Sequence, residues 1–214
     1  MSETTSYNMG DTEAPSNEEK VYLKPGYHKL TVTGFEYKHD DGKTPVIIIT
    51  AETQAKEGEE ATKFTDNFWM SGKLNKEGKM SSVIRLQELA MGLTGNKITI
   101  QPKIVTYVKK EKDGTSETYS IPNPEELTTW FNKHCKGKVG IFKIGGEESD
   151  GKVYSKLTYS SFLYYTDKQK NLCRYKEERD FTESEYKYSV QKKKEASAPA
   201  GGGGVSTLAK MEDM

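Results

Sequence analysis

The chain has 214 residues, 33% of them hydrophobic and 30% charged, and its 32 basic and 32 acidic side chains balance to a formal net charge of zero. That length suits one sizeable domain or two small ones, and the low apolar content predicts that part of the chain is polar tail or loop. A neutral sum argues against a uniformly basic nucleic-acid coat, yet leaves room for one basic face offset by acidic termini.

No apolar run approaches the ~20 residues that span a bilayer, and the N-terminus has no signal-peptide core, so a soluble cytoplasmic protein is expected. Two cysteines, Cys135 and Cys173, and three histidines lack metal-ligand spacing, which predicts free thiols, no metal and no cofactor.

Residues 1–20 are polar and acidic without periodicity and read as a disordered arm. The stretch Gly26–Met70 then dominates the chain. Its runs rich in Val, Ile, Thr and aromatics, bounded by Gly, Asp and Pro, predict a three-strand antiparallel meander. Alternation in the first strand puts Leu30 and Val32 on one face and Thr31, Thr33, Phe35 and Tyr37 on the other. In the third strand Phe64, Phe68 and Met70 oppose Thr65, Asn67 and Trp69.

A helix follows, capped by Ser81 or Ser82, with Val83, Leu86, Leu89 and Ala90 as its apolar stripe and Gly92 or Gly95 as its stop. Residues 97–108 return to strand character, interrupted by Pro102. Residues 109–114 read as a hairpin tip, and Thr118–Ser120 as the return. Asn123-Pro124-Glu125-Glu126 is a strong helix start, with an Asn cap, Pro in the first helical position and acids at the positive helix end. Leu127, Trp130, Phe131 and His134 share a side, and Gly137 stops the helix. Lys138–Ile144 is another strand, residues 145–151 its turn, and Lys152–Tyr159 the returning strand. Residues 162–174 carry a weaker edge-strand signal.

The domain is thus expected over 21–180, a charged then Gly-rich flexible linker over 181–204, and an acidic, hydrophobic tip over 205–214. Five or more short strands, with a helix between the third and fourth, predict a mainly β chain with two helices. The fold class is an OB-fold-like, five-stranded or slightly larger antiparallel barrel with disordered termini.

Enzymatic constellations are poor. The chain contains no Gly-x-Ser-x-Gly elbow, phosphate-binding loop or His-Glu-x-x-His. Asp40-Asp41 and Glu147-Glu148 flank turn glycines and read as solvated turn residues. His134 and Cys135 are adjacent on a helix, so they point about 100° apart, and no third group orients either. A non-catalytic protein is expected.

Aromatics interleaved with lysines say more, in a chain with thirteen tyrosines. Single-stranded nucleic acid needs flat rings that stack on bases, at ~1–3 kcal/mol each, and cations that track phosphates. The candidate stacking residues are Phe35, Tyr37, Trp69, Tyr107, Phe142 and Tyr154. The candidate phosphate contacts are Lys38, Lys73, Lys109, Lys110, Lys143 and Lys156. Behind the four-glycine spacer Gly201–Gly204, the segment Met211-Glu212-Asp213-Met214 reads as a partner-binding tip.

The Gly26-Tyr27-x-x-Leu30-x-Val32 opening, the Gly137-Lys138-Val139-Gly140-Ile141 late strand and this tail resemble bacteriophage OB-fold single-stranded-DNA-binding proteins. The resemblance covers residues 21–165. The tip departs from the denser acidic run, ending in an aromatic, that bacterial relatives carry. The resemblance implies coating of exposed single strands in replication, recombination or repair, without catalysis or cofactor. It also implies salt-sensitive binding through counterion release, and recruitment of replication or recombination proteins by the tip. The alternative is a β-rich virion component or protein-interaction module whose tyrosine-rich face packs on another protein.

Overall fold

The computed structural model describes residues 23–192, apart from 56–57, 59, 77, 97–99, 112 and 166–170. The expected arm, the Gly-rich spacer and the tip, Met211 to Met214 included, lie outside the described residues. The chain is mainly β, with three helices, and its main sheet curls strongly into a half-barrel of five antiparallel strands. These are β1 (Gly26–Lys38), β2 (Val46–Thr53), β3 (Lys63–Trp69), β6 (Val139–Ser149) and β7 (Lys152–Leu157), in the spatial order β7-β6-β1-β2-β3. Between β3 and β6 the chain forms α1 (Ser81–Thr94), a separate hairpin of β4 (Ile104–Lys110) and β5 (Ser116–Pro122), and α2 (Pro124–His134).

The long first strand serves two partners. Its first half, Gly26–Thr31, pairs with β6, and its second half, Leu30–Lys38, pairs with β2. A bulge between Val32 and Gly34 marks the change. An extra residue in a strand shifts the two-residue side-chain period by one, so everything beyond it changes face. Phe35 therefore turns into the core with Leu30 and Val32, against the simple alternation, and its ring lies 5.0 Å from that of Phe131 on α2. Where β6 leaves β1, other groups take up the backbone. Val32 bonds to Gly137 and Lys138, and the Asn132 side chain accepts from the Phe35 N–H (2.9 Å) and donates to its carbonyl (2.8 Å).

Strand β3 alternates as its sequence requires, with Phe64 and Phe68 buried and Thr65, Asn67 and Trp69 exposed. The concave side of the sheet, α1 and α2 share one core, in which Ile47, Ile49, Phe68, Met70, Leu89 and Phe131 are fully enclosed. Helix α1 begins without either expected serine cap, because Met80 occupies the N-cap position and offers no side-chain bond. It runs through Gly92, which packs against Phe162, and stops at Gly95, whose φ of 79° is the left-handed conformation that terminates helices. Helix α2 starts as the sequence dictates, the Asn123 side chain accepting from the N–H groups of Glu125 and Glu126.

Strand β6 is longer than expected. Gly145 and Gly146 lie inside it, and the turn is Asp150-Gly151 with φ values of 53° and 72°. A two-residue connection with both φ positive is the hairpin turn that Asp-Gly favours. The two internal glycines answer to packing instead. A Cβ at Gly145 would sit 2.3 Å from the Ser189 carbonyl oxygen, and one at Gly146 would sit 2.4 Å from Val153 Cγ1.

Beyond β7 come the short pair β8 (Leu163–Tyr165) and β9 (Leu172–Arg174), then β10 (Arg179–Asp180) against the start of β1. Residues 181–192, read from composition as charged linker, carry α3 (Glu183–Ser189) and β11 (Val190–Lys192). β11 pairs in parallel with Gly146–Glu148 of β6. Thr182 and Glu185 form a reciprocal cap, and Arg179 meets Glu185 with two bonds of 2.7 and 2.8 Å. Tyr27 also donates to Glu185 (2.9 Å). Together these contacts pull the Glu185 carboxyl well below its usual range.

No backbone ladder joins β3 to β7 among the described residues. The seam is bridged by a side chain, since Asp66 Oδ2 on β3 accepts from the Leu157 N–H (2.7 Å) while its Oδ1 accepts from the Asn67 N–H (2.7 Å). Burial pushes the Asp66 carboxyl above its ordinary value, opposed by these N–H groups and by the charges of Arg85 and Lys156. A folded-state value above the unfolded one means the native protein holds that proton more tightly. The stability this group contributes is present below the unfolded value and is lost as pH rises through the folded one. Asp66→Asn removes the charge but keeps only one of the two accepting oxygens, so it carries a constant cost of one lost N–H bond. Its melting temperature relative to wild type is expected to fall as pH drops from 7 towards 4, the unfolded carboxylate range, because wild type gains stability on protonation and the variant does not. Melting curves across that range check it, and a variant that gains relative to wild type on acidification contradicts it.

Candidate functional site

The twelve residues singled out for a nucleic-acid face do not share one surface. Phe35, Tyr107 and Phe142 are buried and belong to the core. Phe142 is turned inward because it lies in register with His28 on the concave sheet, and its ring meets Phe162 edge-on at 5.4 Å. Tyr107 stacks on Tyr119 of the neighbouring strand at 5.5 Å. Tyr37 is half-buried, 6.4 Å from the His39 ring, and its hydroxyl is pushed up by burial and by the Glu125 charge. Trp69, at 54% exposure, and Tyr154 present their rings to solvent.

Four of the six lysines face carboxylates. Lys38 lies 3.3 Å from Glu36, Lys109 2.5 Å from Glu111, Lys110 3.3 Å from Asp41, and Lys156 3.1 Å from Glu147. The three exposed pairs are worth little, whereas Lys109 and Glu111 are both half-buried. Lys73 is exposed next to Trp69's strand end. Lys143 is half-buried over the Phe181 ring (5.6 Å), and burial lowers its ammonium below the ordinary value.

Three hollows bring some of these groups together with residues that the sequence gives no reason to choose. The first, about 360 Å³, lies between the end of β3 and the start of α1, and its walls include Trp69, Lys73, Arg85 and Tyr159. The second, about 450 Å³, is bounded by Lys143, Lys156, Tyr159 and Tyr188. The third, about 550 Å³, is bounded by Tyr27, Lys143, Tyr164, Tyr175 and Arg179. Tyr159 belongs to the first two, and Lys143 and Ser160 to the last two, so the hollows run on from one another. Along them the rings of Tyr159 and Tyr188 are 71% and 85% exposed.

Tyr159 and Tyr188 escape a sequence reading because one sits in a turn and the other in a helix that composition disguises as linker. Arg85 escapes because it lies on α1, whose apolar stripe signals packing alone. The Tyr154 ring and the lysines of the β4–β5 hairpin do not border these hollows.

The one nucleophile pair worth testing against geometry separates. Cys135 is fully buried, its thiol pushed up to about 11 by desolvation, and His134 stacks on Trp130 at 4.5 Å. Among the described residues no cluster of three His, Cys, Asp or Glu side chains could hold a metal ion, and no helix is long and apolar enough to cross a membrane. No protein-family model matches the chain, and no curated protein matches it in sequence.

Proposed function

We propose that the chain binds and protects single-stranded DNA without catalysis, on an OB-fold-like barrel. The observation that carries this reading is the run of exposed rings, Trp69, Tyr159 and Tyr188, set along adjoining hollows with Arg85, Lys73, Lys156 and Lys143. Every base offers a π-face, so rings spaced along a cationic track bind a strand whatever its sequence. Such a track suits splayed bases better than a duplex, whose faces are occupied by neighbours.

The connectivity supports the barrel class. One long, bulged strand pairs with β2 on one half and β6 on the other, the order is β7-β6-β1-β2-β3, and α1 leads out of β3. Taken with the resemblance to phage single-stranded-DNA-binding proteins, the proposed activity would serve phage-type replication, recombination or repair in a host cytoplasm. The tip Met211-Glu212-Asp213-Met214 is the segment through which replication or recombination proteins would be recruited.

The matching of four lysines by carboxylates favours the second reading, a virion or protein-interaction module whose tyrosine-rich surface meets a protein. Fluorescence anisotropy of a labelled oligo-dT separates the two. Binding that tightens at low salt and survives a duplex competitor is the expected result. No binding at low salt overturns the DNA reading in favour of the protein surface.

A further inference from the structure

We infer that the open edge of β6 at residues 139–141, together with the hollow beside it, takes an extended segment of a partner protein in which acidic and apolar side chains alternate. The inference stands apart from the single-strand reading. The hollow, of about 550 Å³, shares no residue with the first two described above and meets the third only at Tyr175 and Lys176.

The backbone comes first. On the side of β6 away from β1, strand β7 pairs as far as Leu157 opposite Ile144. The Lys143 N–H then donates to the Ser161 carbonyl (2.8 Å), and the Lys143 carbonyl accepts from the Thr158 N–H. Backbone groups alternate between the two edges of an antiparallel strand, so those of Ile141 and Val139 point the same way as those of Lys143. Past Lys143 no backbone bond meets that edge among the described residues. An unpaired edge is a template for another strand, and proteins blunt the edges they do not use with charge, proline or a bulge. The run Val139-Gly140-Ile141 has none of the three.

The side chains around the edge state what such a strand must carry. On the side that Phe142 faces, the hollow is walled by Leu93 and Phe162. On the opposite face Lys29 lies in register with Ile141, and Arg174 and Lys176 border the same space from the segment after β9. None of these three cations is paired with a carboxylate among the described residues, unlike four of the lysines considered above. Glu178, the one acid on the wall, accepts from the Lys29 backbone N–H (3.3 Å). A strand laid along the edge turns alternate side chains to the two faces. One set meets Leu93 and Phe162 and is apolar. The other meets the cations and is acidic.

A peptide fits these features better than a further stretch of nucleic acid. The rings on the wall are already engaged, Phe142 with Phe162, and Tyr175 with Tyr27 and Tyr164. No ring is left to stack on a base, whereas N–H and C=O groups at strand spacing answer an extended backbone.

The test uses the full chain and a capped hexapeptide alternating glutamate and leucine, followed by anisotropy of a label on the peptide and by hydrogen exchange of the Ile141 amide. The peptide is expected to bind and to slow Ile141 exchange by about tenfold or more, as an amide entering a ladder does. Copies of the peptide N-methylated at the glutamates or at the leucines should split, one losing binding and the other keeping it. Equal behaviour of the two copies overturns strand addition. A lysine–leucine version should fail to bind wild type. Arg174→Glu combined with Lys176→Glu should weaken the glutamate peptide about tenfold, the worth of two exposed ion pairs, and should bind the lysine–leucine peptide instead. Unfolding does not produce such an exchange of preference, and unchanged preference overturns the acidic partner.

Other occupants have their own signatures, and each refutes the partner reading. If the peptide binds only after Glu212→Lys and Asp213→Lys, the chain's own tip holds the edge. If the Ile141 amide is protected without peptide, and more so as protein concentration rises, a second copy holds it. If oligo-dT displaces the peptide, the groove belongs to the nucleic-acid path. Binding to neither the wild type nor the tip variant refutes the docking edge itself.

Discussion

Trp69→Ala is expected to weaken oligo-dT binding by about tenfold or more while leaving the melting temperature nearly unchanged. Base–aromatic stacking is worth ~1–3 kcal/mol per base, and 1.4 kcal/mol is a factor of ten. Trp69 lies on the outward face of β3 with over half its surface in water, and its strand neighbour Phe68 is the residue that anchors β3 in the core. Removing an exposed ring away from the core typically changes stability by no more than ~0.5 kcal/mol. Trp69→Phe should retain most of the affinity because a flat face remains. Equal oligo-dT affinity in wild type and Trp69→Ala would remove this ring from the path.

The second large effect runs the other way. Phe142→Ala is expected to destabilise the fold by ~3–5 kcal/mol, the range for truncating a buried phenylalanine. Phe142 is 1% exposed, and its ring fills the space between β6 and Phe162. Against a total stability of ~5–15 kcal/mol, that loss takes away a third or more of the margin. Denaturant unfolding reads it directly, as a lower midpoint at unchanged slope. Phe142→Leu should recover much of the loss. Any fall in DNA affinity for Phe142→Ala should be recovered at temperatures where the variant is fully folded, which sets it apart from Trp69→Ala.

Much of the architecture is legible in the amino-acid order because it is encoded over short distances. The Gly26–Met70 meander, the Asn123-Pro124 helix start and the β6–β7 hairpin follow from alternation, capping and turn chemistry among near neighbours. What escapes the sequence depends on contacts distant in the chain. Gly145 and Gly146 resemble turn glycines until the end of α3 is placed over the first and Val153 of β7 against the second, which leaves no room for a Cβ at either. Phe35 resembles an outward ring until the bulge, held open by Asn132 almost a hundred residues away, reverses its face. Residues 181–192 have the composition of a linker, and they fold because Arg179, Tyr27 and Thr182 converge on Glu185.

The candidate surface is legible in kind rather than in place. Aromatics interleaved with lysines raise the expectation of a stacking and charge surface, and of the residues named for it Trp69, Lys73, Lys143 and Lys156 line the hollows. Phe142 and Tyr107 carry the same signal yet face inward, since period-two patterns assign residues to two faces without saying which is wet. Arg85 has no local signature at all. It comes to border the same hollow as Trp69 only when the N-terminus of α1 and the end of β3 are brought side by side.

The seam at Asp66 has a mechanical consequence. A barrel closed by a continuous ladder has a fixed girth, because widening it breaks several backbone bonds at once. Here β3 and β7 are held across their gap by a carboxylate that rotates about its own side-chain bonds. Trp69 lies three residues beyond Asp66 on one lip, and Tyr159 lies two residues beyond Leu157 on the other. The side-chain bridge at Asp66 thus stands between two exposed rings, Trp69 on one lip and Tyr159 on the other, and it is the polar bond that any change in the width of that gap has to break.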